Sequence, residues 1–397
     1  MKKLNKLIFS TLFFSMLATV TGVGIVVPLL PVYAYTLGAN GLYIGLIFGA
    51  FSLSRTIFLP YFGRLSDKKG RKPFIVVGLF AYSIISLAFM FSKDVNSLIF
   101  TRFLQGVASA MLMPVIQAYI GDITPEGKEG FSMGLFNMSM FFGLSLGPVM
   151  GGIINDRLSL NAAFICMGLL AFIGFLLGLF LLPPTRSEQI VNVGKAPAKW
   201  KILLRDRDIA GLFIYRFVYT ICIGVIWGFL PVLADSEFSL SSSSIGILVM
   251  LGVFISGLIH LPMGYLADRV NKNMMIAAGG FIVVFAMFYF EWSKTSQGLF
   301  YASILFGIGG GISMPALMAL AVLKGNKAHA MGSVMALLTL AHSLGMFTGS
   351  VLAGMMMDFS LLREAFTMGA VMMGVGVGLF FVCIYKRNEF KHIEHGN

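Results

Sequence analysis

The sequence predicts an all-α membrane protein of twelve transmembrane helices in two pseudo-symmetric six-helix bundles. Three observations carry this. Apolar residues make up 57% of the 397 and charged residues only 12%, where a water-soluble domain carries about 25% charged. Twelve apolar windows follow one another along the chain, each near the roughly 20 residues that span a bilayer. Glycines, prolines and acids then recur between the two halves at a nearly constant offset of 201–202 positions.

The first window, Leu7–Tyr35, follows Lys2, Lys3 and Lys6 and imitates a signal peptide. It is too long for one, contains Pro28 and Pro31, and lacks a small-x-small cleavage site, so it is read as a retained first helix. Gly41–Phe62, Phe74–Phe91, Ser97–Tyr119, Phe131–Ile154 and Ala162–Leu182 complete an N-terminal bundle over residues 1–182. The longest polar stretch, Pro183–Asp208, holds Pro183, Pro184, Gly194, Pro197 and six Lys/Arg, and reads as a cytoplasmic linker over residues 183–208. Ile209–Ala234, Ile245–Ala267, Met274–Trp292, Leu299–Val322, Met331–Met357 and Ala365–Tyr385 form the C-terminal bundle, residues 209–397.

The net charge of +12 would suggest a nucleic-acid surface in a soluble chain. Its placement argues otherwise. Of 29 Lys/Arg, 22 fall in the segments on the side of the N-terminus. Four (Lys93, Arg157, Lys294 and Arg363) fall on the other side, and three lie inside helices. This imbalance predicts a multi-pass protein of the cell inner (cytoplasmic) membrane with both termini cytoplasmic, and no nucleic-acid partner. Cys166, Cys222 and Cys383 sit singly in apolar segments, without metal-ligand spacing or a disulfide framework. No metal or cofactor is expected.

The repeat runs through three regions. Gly63 and Asp67 match Gly264 and Asp268; Gly106, Met113 and Pro114 match Gly307, Met314 and Pro315; Gly143, Gly147, Gly152 and Asp156 match Gly345, Gly349, Gly354 and Asp358. Internal duplication of this kind is the ground plan of many secondary transporters, whose substrate sits near the midplane between repeats.

Three motifs stand on this frame. Between helices 2 and 3 lies Gly63-Arg64-Leu65-Ser66-Asp67-Lys68-Lys69-Gly70-Arg71-Lys72. Gly63 and Gly70 suit close backbone approach and a tight turn, and Asp67 suits a cation or a neighbouring helix N-terminus. Helix 5 carries Gly143-Leu144-Ser145-Leu146-Gly147-Pro148-Val149-Met150-Gly151-Gly152. Small residues four apart let helix backbones approach and Pro148 removes a backbone donor, describing a tightly packed, bendable helix where the halves meet. Helix 4 carries Arg102, Gln105 and Gly106; an arginine at the bilayer centre costs about 2.5–3.5 kcal/mol on insertion scales and is rarely idle.

With these residues the sequence resembles the major facilitator superfamily, most like its twelve-helix drug:proton antiporter group. The resemblance spans nearly the whole chain. It implies the major facilitator fold, and a conformational latch on the cytoplasmic side made by Gly63, Asp67, Lys68, Gly70, Arg71 and Lys72. An eroded second copy is Gly264, Asp268 and Arg269, where Asn271 replaces the glycine and Asn273 a cation. Gly143, Gly147, Pro148, Gly151 and Gly152 fit the antiporter pattern of helix 5, and Arg102 with Gln105 fits an element linked to proton coupling. The Gly-x-Ser-x-Gly spelling at Gly143–Gly147 needs a strand-turn-helix context that a spanning helix cannot give. No P-loop and no nucleophile–base constellation is present, so an enzyme or an ATP-driven pump is not expected.

The cargo is harder to read. All 17 Asp and Glu fall in loops or near helix ends, whereas Arg55, Arg102 and Arg216 fall inside helices 2, 4 and 7. A buried cation favours anionic or neutral cargo, since a cationic guest needs a carboxylate. Without a midplane acid, His260 and His342 are the candidate proton carriers, with Asp67 a further one. Trp227, Tyr33, Tyr35, Tyr219 and Phe217 are candidate wall residues. The expectation is a monomeric secondary active transporter in the lipid bilayer. It would export amphipathic small molecules, multidrug-like, by proton-coupled alternating access. The alternatives are a transporter of a specific organic anion or neutral metabolite using the arginines, and a non-transporting membrane sensor on the same fold.

Overall fold

The computed structural model describes residues 3–124, 129–183, 203–327 and 330–394. Among them the long elements are twelve helices: α1 Lys3–Thr36, α2 Gly41–Lys69, α3 Arg71–Ala88, α4 Val95–Ile123, α5 Glu129–Arg157, α6 Leu160–Leu181, α7 Arg207–Ser236, α8 Ser242–Ala267, α9 Lys272–Trp292, α10 Ser296–Lys327, α11 Met331–Phe359 and α12 Glu364–Glu394. Each is long and apolar enough to cross a membrane. A short 3-10 turn, Phe89–Phe91, extends α3. Most of the linker expected over Pro183–Asp208 lies outside the described residues. At its end the Asp206 carboxylate accepts the N–H of Asp208 at 2.8 Å, and α7 begins at Arg207.

Polar caps set where the helices start. Asn40 accepts from the N–H of Tyr43, Asp94 from that of Ser97, Ser159 from that of Ala162 and Asn271 from that of Asn273, at 2.9–3.1 Å. Each satisfies a backbone donor that the first helical turn leaves open. Asp94 and Ser97 form a reciprocal capping box.

One element differs from expectation. The charged run after Phe62 is not a turn: α2 continues through Gly63, Asp67 and Lys68 to Lys69. Lys68 and Lys69 in its last turn suit the negative end of the helix dipole. Reversal is left to Gly70 alone, at φ 89°, ψ 159°, a left-handed backbone that side chains avoid.

The chain packs as two compact units. The first comprises Met1–Lys195 with Ala234–Met250, the second Ala196–Leu233 with Leu251–Asn397. In the first, α1 lies against α5 and α6, α2 against α4, and α3 against α4 and α6. Its core gathers Leu12 and Met16 of α1, Ile75 and Leu79 of α3 and Leu112 and Ile116 of α4. In the second, α9 packs on α10 and α12, and α11 on α10 and α12. Gly279 and Gly309 let α9 and α10 close to backbone contact, an added Cβ at either falling within 2.7 Å of the other's carbonyl. Phe290 of α9 and Phe366 of α12 meet at 5.4 Å between ring centroids.

Candidate functional site

At the α2–α3 reversal the hub is Arg71, which is 4% exposed. Its Nε donates to Asp122 of α4 at 3.0 Å, and one terminal nitrogen, Nη1, to both Ser66 Oγ at 2.8 Å and the Asp67 carboxylate. Ser66 in turn donates to the carbonyl of Gly63 at 2.7 Å. Asp67 therefore pairs with a cation of its own motif, and Asp122 supplies a second carboxylate to it. Lys68 is exposed and Lys72 half-buried. Gly63 makes no close approach, since an added Cβ there meets nothing within 4 Å. In this structure only position 70 requires glycine, since the helical backbone at 63 has room for a side chain.

The second copy differs in backbone as well as in sequence. Asn271, which aligns with Gly70, sits at φ −65°, ψ 110° and caps α9. Gly264 again faces open space. Arg269 lies over the ring of Tyr265 at 4.0 Å, while Asp268 is exposed.

On α5 the glycines at 143, 147 and 151 share one face, and that face is pressed on α1. An added Cβ at Gly143 falls 2.9 Å from the N of Thr21, at Gly147 2.7 Å from Cα of Gly24, and at Gly151 2.5 Å from the carbonyl of Ile25. Gly24 answers from α1, with Gly147 Cα and Pro148 Cδ both 2.9 Å from its own built Cβ. The duplicated half repeats the contact between α7 and α11. Gly345 meets the carbonyl of Phe217, Gly349 lies 2.7 Å from Cα of Ile221, and Gly224 lies 2.6 Å from the carbonyl of Met346. Gly152 faces elsewhere, onto the backbone of Ser242.

There the end of α5 caps α8. The Asp156 carboxylate accepts the N–H of Ser242 at 3.0 Å and of Ser243 at 2.8 Å, plus the Ser243 hydroxyl at 2.5 Å. Asn155 donates to Ser242 Oγ at 2.8 Å. The sequence marked Asp156 only as a repeat position. The serine run Ser241–Ser244 was the one sign of a cap here.

The buried polar centre of the first unit is Arg102, 3% exposed. It donates to Gln105 at 2.7 Å, and Gln105 donates to the hydroxyl of Tyr82 at 2.8 Å. Its guanidinium lies 5.0 and 4.9 Å from the rings of Phe48 and Phe51, within cation–π range. It does not snorkel. Arg102 Nε and Arg55 Nε are both buried without a hydrogen-bond partner. Gly106 keeps α4 on α2, its added Cβ overlapping Ser54 Oγ and the carbonyl of Phe51. Tyr82 belongs to no motif, and nothing in the sequence singled it out.

In the second unit Arg216 of α7 reaches Nδ1 of His342 on α11 at 3.2 Å and the thioether of Met314 on α10 at 2.8 Å. His260 is exposed, its Nδ1 2.5 Å from the carbonyl of Ser256 on its own helix. Tyr219 is buried and its ring stacks on Phe306 at 5.7 Å. Asp208, 4% exposed, pairs with Lys324. Among the described residues no cluster of His, Cys, Asp and Glu is arranged to hold a metal.

The sequence profile of the Major Facilitator Superfamily matches residues 12–332 and again residues 212–395. An uncharacterized MFS-type transporter of Methanocaldococcus jannaschii is 31% identical over 375 residues, covering 94% of this chain and 96% of its own. Multidrug resistance protein 2 of Bacillus subtilis is 26% identical over 396 residues, with 97% of each chain covered. Among solved structures, a bacterial homolog of the human lysosomal transporter Spinster superposes with a TM-score of 0.81 at 12% identity, over 96% of this chain and 97% of that one.

Proposed function

Because the chain belongs to the major facilitator superfamily, we propose that it is a proton-coupled exporter of amphipathic small molecules, working by alternating access. The observation that carries this reading is the glycine face of α5 seated on α1, in a chain similar end to end to a multidrug resistance protein. In this reading residues 1–182 and 209–397 are the moving bundles, joined by residues 183–208 in the cytoplasm with both termini. Asp67, Lys68, Arg71 and Lys72, with the weaker copy at Asp268 and Arg269, form the inner latch. Arg71 is already held by Asp122, so the latch is anchored to α4. The protein works as a monomer in the cytoplasmic membrane.

A second reading, transport of an organic anion, is favoured by one specific observation. Arg55, Arg102 and Arg216 lie within spanning helices, and none is paired with a carboxylate among the described residues.

Proton movement in sealed vesicles holding the purified protein separates the two. Dissipation of an imposed pH gradient on adding lipophilic cations, unchanged in Arg55→Ala, supports the exporter. A response confined to organic anions and lost in Arg55→Ala favours the second reading. Silence to both overturns proton coupling.

A further inference from the structure

Among the described residues no carboxylate lies in the middle of a spanning helix, so a proton-coupled carrier needs another group to bind the proton. We infer that His342 is that group and that Arg216 senses its state, the Arg216–His342 contact forming only when His342 is neutral. The inference deepens the proton-coupled reading above and depends on it for its role in transport, not for its chemistry.

The geometry fixes the tautomer. A guanidinium has five N–H donors and no acceptor, so at 3.2 Å the Nδ1 of His342 must offer its lone pair to Arg216. The imidazole proton then sits on Nε2. A second proton could enter only at Nδ1, converting the acceptor to a donor and setting two cations side by side. The contact must then break. Arg216 has little else to keep it in place, since its other acceptor is the thioether of Met314, a weak one. A single protonation therefore frees a guanidinium inside a membrane span.

From α7, His342 faces Arg216, with Tyr219 and Cys222 behind it at one-turn spacings. From α8, His260 lies within the electrostatic reach of Arg216. On α10 the facing group is Met314, and Tyr301 on that helix is 58% exposed. α12 carries no ionisable side chain between Ala365 and Val382. None of these named groups is a carboxylate. His260 is the poorer candidate, because its Nδ1 donates to the carbonyl of Ser256 and a proton added at Nε2 would leave that contact intact.

The sign of coupling follows. A proton on His342 adds positive charge beside Arg216, so a cationic guest and the proton exclude one another there. Such mutual exclusion is what an exchanger requires, and linkage makes it reciprocal. An anionic guest would instead be drawn in together with the proton.

The full-length protein in nanodiscs, labelled with 15N-histidine, tests the first step between pH 8 and pH 5. His342 is expected as the Nε2–H tautomer at pH 8, becoming imidazolium in acid, with its pH 8 signals displaced in Arg216→Gln. An Nδ1–H tautomer, or signals indifferent to Arg216→Gln, overturns the inference without recourse to a variant of His342. Equilibrium binding of the matched ions tetraphenylphosphonium and tetraphenylborate tests the second step. Cation affinity should fall by up to about tenfold per pH unit as one proton competes, and anion affinity should rise. Both trends should flatten in His342→Gln and persist in His260→Gln; trends unchanged in His342→Gln overturn the inference. Binding that shows these trends in a protein that moves no protons across vesicles supports the inference and refutes the exporter. Proton-driven efflux that is intact in His342→Gln does the reverse.

Discussion

The carboxylate of Asp156 takes both the backbone N–H and the hydroxyl of Ser243, at 2.8 and 2.5 Å. The last turn of α5 thereby satisfies two open N–H groups at the start of α8, beside the helix's own cap, Ser241 Oγ, which accepts the N–H of Ser244 at 3.3 Å. Replacing Asp156 by Ala should cost about 0.5–2 kcal/mol, the usual value of an N-cap. Hydrogen exchange at residues 242–245 should accelerate while exchange in α9 stays unchanged. Asn should recover part of this, since its amide keeps one acceptor but turns two donors toward a row of donors.

Arg71 and Asp122 pair with side-chain exposures of 5% and 12%. Removing one partner of such a buried pair typically costs about 3–5 kcal/mol, because the other charge is stranded. Asp122→Ala should therefore lower the melting temperature sharply. The double replacement Arg71→Met with Asp122→Leu should be the milder of the two in a thermal melt. Arg71→Lys should fail to restore stability, as one ammonium cannot reach Asp122, Ser66 and Asp67 in the fork geometry.

Three glycines of the motifs should behave in three ways. Gly63→Ala fills open space on a helix and should stabilise by about 0.5–1 kcal/mol. Gly70→Ala forces a side chain onto φ 89° and should destabilise by about 1 kcal/mol or more. Gly147→Ala drives a methyl into the α1 backbone at Thr21 and Gly24, where overpacking costs about 1–3 kcal/mol. Melting temperatures of the three variants order these effects. Loss of transport in a well-folded Gly63→Ala would show that this position is approached closely in another state of the cycle.

The backbone N–H of Ser97 holds the Asp94 carboxyl below its ordinary value. A depressed folded value means the cap's contribution is complete above the unfolded carboxyl pKa, about 3.9, and is lost as pH falls through the lower folded one. Amide exchange at residues 95–98 should rise in that acid window. Asn at 94 keeps the cap and should abolish the dependence.

Much of the architecture was legible in the sequence because a bilayer imposes its thickness on every apolar segment. Each of the twelve windows became a helix, with ends moved by a few residues. The exceptions were α12, which runs on from Tyr385 to Glu394, and α2, where charge after Phe62 looked like a loop and was instead a helix end favoured by its lysines. The spacing of Gly143, Gly147 and Gly151 announced a close-packed face, but not that α1 would fill it. Partners were the illegible part. Tyr82 for Gln105, Asp122 for Arg71, Met314 for Arg216 and Ser243 for Asp156 each come from another helix, and periodicity fixes the face of a helix without fixing its neighbour's register. Arg102 was legible as a costly membrane arginine, but not its seat between the rings of Phe48 and Phe51.

Arg55, Arg102 and Arg216 are fixed charges that no physiological pH removes. Inside a membrane they also sit within its voltage drop, where carrying one elementary charge across 100 mV is worth about 2.3 kcal/mol. Any step that shifts these guanidiniums along the bilayer normal is therefore electrical work, paid or recovered by the resting potential. The turnover of this carrier should respond to voltage even when its cargo is neutral, and a transient current in the absence of substrate would be the signature of those charges moving.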